Sequence, residues 1–144
     1  NWFKSVGIPS TVDINEVIYT DSELNAFIGI GKNASKGVIL ISNDGINWST
    51  NEIENTTSFS KGAWNKVSKS ALITGEGDNS LGILKNESNI WKFEPIEDIT
   101  FKGFNNVLSF ESEDIFILTK TNLSTKTEIV RYKNITTPLV ATQT

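Results

Sequence analysis

This chain of 144 residues contains no cysteine, no histidine and no methionine. Without cysteine there is no disulfide, no thiol nucleophile and no thiolate zinc site. Without histidine the commonest general base and the commonest transition-metal ligand are missing. Carboxylates remain for acid–base work, and only an oxygen-lined site remains for a cation. Arginine is nearly absent as well: Arg131 stands beside twelve lysines that form no run or stripe, so no nucleic-acid partner is expected. The net charge of −4 and a sequence pI near 4.8 favour solubility over polyanion binding. Proline occurs three times, at Pro9, Pro95 and Pro138, all placed in connections or on an edge strand. No apolar run approaches the roughly 18 residues that span a bilayer, and no signal peptide is visible. Membrane insertion is therefore not expected.

What is present reads as one globular domain over 1–144, with 38% hydrophobic and 21% charged residues. The start at Asn1, inside strand-like sequence, is read as that of a mature product or an excised fragment. Six Asn-x-Ser/Thr sequons occur, at Asn33, Asn47, Asn55, Asn86, Asn122 and Asn134. A chain this rich in Asn, Ser and Thr yields about three by composition alone, and sequons matter only in a glycosylating pathway.

The chain also repeats itself. Trp2, Trp48, Trp91 and Tyr132 are separated by 46, 43 and 41 residues, close to the length of one four-stranded propeller blade. Aligning three of these rings brings "SNDGINW", "KNESNIW" and "KTEIVRY" into register, with Asp44, Glu87 and Glu128 each four residues before its aromatic. "KGAWNKV" from Lys61 matches "KGFNNV" from Lys102, and "VIYTDSELNAFI" from Val17 matches "VLSFESEDIFI" from Val107. Within each unit short β-branched and aromatic runs alternate with Asn/Gly turns, and no window carries helical periodicity. The pattern predicts an all-β, propeller-like fold of about three blades of four antiparallel strands, in approximate units 2–47, 48–90 and 91–131 with a tail at 134–144. A β-sandwich is the alternative.

Ser42 to Trp48 resembles the Asp-box, or BNR, repeat of sialidase-like β-propellers. The resemblance implies that Asp44 accepts backbone hydrogen bonds within a turn, that Gly45 takes a positive φ, and that Trp48 packs between neighbouring sheets. Each role has a general physical basis. The second and third copies are degraded, with Glu87 and Trp91 in one and Glu128 and Tyr132 in the other. All of these, together with Ser42, are expected to be structural. A calcium loop would need more alternating carboxylates, so no metal and no cofactor are expected.

The sialidase chemistry that the resemblance brings with it needs an arginine cluster, which one arginine cannot supply. A carboxylate pair would suffice for another glycoside hydrolase; Glu76 and Asp78, or Glu111, Glu113 and Asp114, are the candidates, all in turn-like sequence. Better binding candidates are Trp64 and Asn65 in "KGAWN" and Phe104 and Asn105 in "KGFNN". There an aromatic ring beside an amide suits a sugar, unless the rings only plug the gap between sheets. The leading expectation is a non-enzymatic recognition or adhesion module, binding a glycan or surface receptor outside a cell or on a virion such as a phage tail. The alternatives are a structural propeller that docks other subunits and a glycoside hydrolase fragment. Three blades fall short of the four to eight of a closed ring, so a homo-oligomer or further blades are expected, with a strand at Asn1 to Ile8 completing another blade.

Overall fold

The computed structural model describes residues 1–97, 103–121 and 127–133. Eleven strands form three antiparallel meanders, and no helix occurs among the described residues. Sheet one holds β1 (Val12–Tyr19), β2 (Phe27–Asn33), β3 (Lys36–Ser42) and β4 (Ser49–Ile53). Sheet two holds β5 (Ser58–Asn65), β6 (Ser70–Glu76), β7 (Gly82–Glu87) and β8 (Ile90–Pro95). Sheet three holds β9 (Asn106–Phe110), β10 (Ile115–Thr121) and β11 (Thr127–Lys133). The all-β expectation holds, with three open antiparallel sheets of four, four and three strands. Three sheets in succession, rather than two face to face, separate this arrangement from a sandwich.

Middle strands are covered on both faces and accordingly read as unbroken apolar runs, Val38 to Ile41 in β3 and Ala71 to Ile73 in β6. Alternation along a strand then divides the core in two. Ile28, Ile30, Ile39 and Ile41 of sheet one meet Phe59, Trp64, Ile73 and Leu84 of sheet two. Leu72 and Ile83 point the other way and meet Phe104, just before β9, and Phe116, Leu118 and Val130 of sheet three. The first strands stand side by side, β1 against β5 and β5 against β9.

Backbone pairing shows the repeat directly. Across the first hairpin of each sheet Tyr19 pairs with Phe27, Trp64 with Ala71, and Ser109 with Phe116. Sheets one and two share a bulge in the first strand, between Ile14 and Glu16 and between Phe59 and Lys61. Gly31 and Gly75 lie opposite these bulges, where a Cβ would overlap the carbonyl oxygen of Asp13 or Ser58. Only glycine lets the bulged strand approach so closely.

The same pairing corrects the aromatic alignment. Phe27 pairs with Ser42, Ala71 with Leu84 and Phe116 with Tyr132, so Tyr132 lies in the third strand of its sheet and matches Ser42 and Leu84. It is not the counterpart of Trp48, which enters a fourth strand. Leu84 pairs with Phe93, and one step beyond the Ile41–Ser49 pair Trp48 lies beside Ser42, so Phe93 is Trp48's counterpart. Trp91 sits two residues nearer the hairpin tip on the same sheet face. The cause is the turn. Ser88 and Asn89, at φ 52° and 64°, close β7–β8 with two residues, as a type I′ turn does, and lengthen the ladder. Residues 43–48 make a wide loop instead.

The expected strand at Asn1 to Ile8 is also absent: Val6 makes one isolated parallel bridge with Asn47. Trp2 is fully exposed. The side chain of Glu128, the sequons at Asn122 and Asn134, Lys102, and the tail 134–144 lie outside the described residues.

Candidate functional site

The corner from Ser42 to Trp48 is a closed set of hydrogen bonds. Oδ1 of Asp44 accepts the backbone N–H groups of Ile46 at 2.8 Å and Asn47 at 2.7 Å, and the Ser42 hydroxyl at 3.0 Å. Its Oδ2 accepts the Asn47 side-chain amide at 2.8 Å. The Ser42 Oγ accepts the Gly45 N–H at 2.8 Å, Gly45 sits at φ 74°, and the Trp48 indole donates to the Gly45 carbonyl. Donation from the Asn47 side chain and backbone, then from Ile46, holds the Asp44 carboxyl far below the ordinary carboxylate range. An anion so fixed by its own turn is a clamp, not a proton donor at neutral pH. Glu87 has a different place, paired with Ile90 beside the two-residue turn.

An acid titration tests the clamp. A depressed native pKa contributes stability in full above the unfolded carboxyl range near ~4, and that contribution is lost as pH falls from there. Asp44→Ala is therefore expected to destabilise at pH 7 and to differ progressively less from wild type as pH drops. Equal denaturation midpoints at pH 7 would refute the role.

Of the four ligand candidates, three are interior. Trp64, next to last in β5, is 7% exposed; its indole donates to Asp21 Oδ2 at 2.9 Å, and its ring lies 6.1 Å from that of Trp91. Phe104 is buried among Leu72, Phe116 and Leu118. Asn65 is wholly buried. Only Asn105 is exposed, with its backbone N–H bonded to the Thr119 carbonyl. Neither ring offers a free face to a sugar.

Asn65 instead joins two sheets. Its Oδ1 accepts the N–H groups of Val67 and Ser68, both at 3.0 Å. Its Nδ2 donates to the Ser109 hydroxyl at 3.0 Å and to the carbonyls of Phe110 at 3.1 Å and Glu113 at 2.6 Å. Asp21 does the equivalent one sheet earlier. Oδ1 accepts Glu23 and Leu24 N–H groups, while Oδ2 reaches Trp64 and Lys69 on sheet two. Burial alone would raise the Asp21 carboxyl, but Leu24, Trp64 and Lys69 together outweigh it and leave the pKa lowered. The other displaced groups are likewise structural: Lys85 holds Glu94 down, and burial, then the Glu94 charge, raises Tyr132.

The acidic candidates for catalysis fall at opposite ends of the sheets. Glu76 and Asp78 flank the β6–β7 turn, and Glu111, Glu113 and Asp114 form the β9–β10 turn, on the Asn65 side. A strand of that length separates the two groups by roughly 20 Å, so a pair drawn from both would exceed the about 5–10 Å of a working carboxylate pair. Among the described residues no cluster of three acidic side chains could hold a metal, and no helix is long and apolar enough to cross a membrane.

One surface combines rings and amides. Between the 42–48 corner and the Ser88–Asn89 turn lies an open depression of about 420 Å³, rimmed by Trp48, Trp91, Asn43, Asn47 and Asn89. Among the described residues no ionisable side chain lines it. No protein-family model, curated protein or solved structure matches the chain.

Proposed function

We propose that the chain is a non-enzymatic recognition module, its sheets acting as consecutive propeller blades, and that it binds an uncharged glycan in an extracellular or virion-surface setting. The observation that carries this reading is the depression between the two corners. Aromatic rings take the apolar face of a sugar, and side-chain amides take its hydroxyls. The lining has no cation to pair with an acidic sugar, and the nearby Asp44 carboxylate disfavours one. The non-enzymatic part is supported by the displaced ionisable groups, each of which has a partner within a turn or between strands.

The test is an NMR titration of the indole and side-chain amide signals with neutral tetrasaccharides such as maltotetraose and cellotetraose, and with sialyllactose. Neutral sugars are expected to shift Trp48, Trp91 and Asn89 with a Kd of about millimolar order, as suits an open site. Asn89→Gly keeps the positive-φ turn, removes the amide, and is expected to weaken binding roughly fivefold. No shift with any neutral sugar would defeat the proposal.

A further inference from the structure

The joint between sheets one and two is not filled to its outer edge. Between β4 and β8 lies a cleft of about 240 Å³, with the buried Ile39, Ile41 and Leu84 beneath and the half-buried Ile53 and Phe93 at its sides. Its polar lining is Asn51 and Glu52, both exposed, and Glu52 already meets Lys36 at 3.8 Å and the Asn33 amide at 2.9 Å. One position accounts for the gap. Ile39 pairs with Asn51, and its counterpart in sheet two is Leu81, whose carbonyl accepts the Ile96 N–H one step beyond the Gly82–Pro95 pair. Ile96 packs on the second core at that place, whereas Asn51 is exposed and leaves the first joint open. Ile41 and Trp91 line both this cleft and the depression assigned to the glycan, so the two form one groove. Along one face of β4, Ser49 serves the depression and Ile53, four residues on, the cleft, a span of about 13 Å. The groove is therefore hydroxyl and amide at the corner and apolar at its far end.

We infer that the ligand is an uncharged glycoside carrying one apolar substituent, a short alkyl chain or a single aromatic ring, with the sugar at the corner and the substituent in the cleft. This rests on the glycan reading of the depression and adds what the sugar bears. An apolar group is the occupant whose needs the cleft meets. Covering Ile53 and Phe93 removes apolar surface from water and asks for no hydrogen bond. A peptide laid there would bury backbone N–H and C=O groups against Ile39, Ile41 and Leu84, side chains that cannot pair with them. A fatty acid would bring its carboxylate to a corner with no cation among the described lining residues and with Asp44 nearby. At about 240 Å³ the cleft is smaller than the roughly 300 Å³ at which pockets for drug-sized molecules begin, so it takes one short substituent and not a pair of lipid chains.

An NMR titration of the whole chain with methyl and hexyl β-maltoside and β-cellobioside, kept below micelle formation, tests this. Both kinds of glycoside are expected to shift the Asn89 amide and the Trp91 indole. Only the hexyl glycosides are expected to shift the Ile53 methyl and Phe93 ring signals, and to bind about tenfold tighter than the methyl ones. Asn51→Ile places in β4 the side chain that its counterpart Ile96 has, filling the cleft from an exposed position. It is expected to cut the hexyl preference to about twofold or less, as is Ile53→Asn. The same head groups on a two-chain lipid in neutral vesicles are expected not to retain the protein on flotation, and retention would overturn the single-substituent assignment. Equal affinity for methyl and hexyl glycosides, or a hexyl preference that survives Asn51→Ile, would overturn the inference and leave the glycan reading standing. Glycosides that leave Asn89 and Trp91 unmoved would defeat the glycan reading, and this inference with it.

Discussion

Asn65→Ala is expected to lower the unfolding free energy by about 3–5 kcal/mol, read from urea midpoints at constant slope. The amide is wholly buried and makes three donor contacts to sheet three while accepting two N–H groups of its own turn. Alanine removes these bonds and leaves the Glu113 carbonyl and the Val67 and Ser68 N–H groups short of this partner in partly buried turns, each costing about 1–3 kcal/mol less whatever water recovers. Asn65→Asp separates the two jobs. It preserves the turn acceptor but sets a carboxylate against the Phe110 and Glu113 carbonyls, so it is expected to be at least as damaging as alanine. A loss below about 1 kcal/mol in the alanine variant would mean that apolar packing alone holds sheets two and three together.

The second large effect belongs to Trp64. Its ring fills the space between sheets one and two beside Trp91, so Trp64→Ala is expected to cost about 3–5 kcal/mol through the cavity it leaves. Trp64→Phe keeps most of the ring and removes only the N–H donated to Asp21, for which about 1–2 kcal/mol is expected at neutral pH. The sign of its pH dependence is fixed. Asp21 is held below its ordinary pKa in part by this donor, so the donor's contribution is present above pH ~4 and declines as acid protonates the native carboxylate. The wild-type and phenylalanine curves should therefore converge toward low pH. Parallel curves from pH 7 to pH 2 would show that the indole does not act through Asp21.

Much of the architecture was legible in the sequence. Runs such as Val38 to Ile41, separated by Asn/Gly turns, declare successive short strands, and a period is present, though the pairing sets it at 45 residues from Tyr19 to Trp64 and from Trp64 to Ser109. Which aromatic matches which was not legible. A carboxylate four residues before a ring arises readily within one strand, as Glu128 and Tyr132 of β11 do, and the two-residue turn at Ser88–Asn89 shifts Trp91 by two positions. Trp64 reads as a loop residue because its Lys-Gly-Ala-Trp-Asn stretch is set against Lys-Gly-Phe-Asn-Asn, yet the pairing puts Trp64 inside β5, level with Ser109 and not with Phe104, which precedes β9. The inter-sheet clamp escaped notice because Asp and Asn in turns are ordinary. A sharper clue was present. "DSEL" from Asp21 and "NKVS" from Asn65 lie 44 residues apart and bond the same two following amides.

The outermost strands bear on how this protein avoids fibrils. A strand at the rim of a sheet offers unpaired amides and carbonyls to any passing chain. In β4 that rim is only five residues long and reads Ser-Thr-Asn-Glu before its single isoleucine, and Val6 bridges Asn47 just ahead of it. In β8 the rim carries Lys92, Glu94 and Pro95, where charge repels a stacked copy and proline withholds a donor. Both rims therefore resist pairing with a further strand along the hydrogen-bonding direction, so stacking of crowded copies through β4 or β8 should be disfavoured.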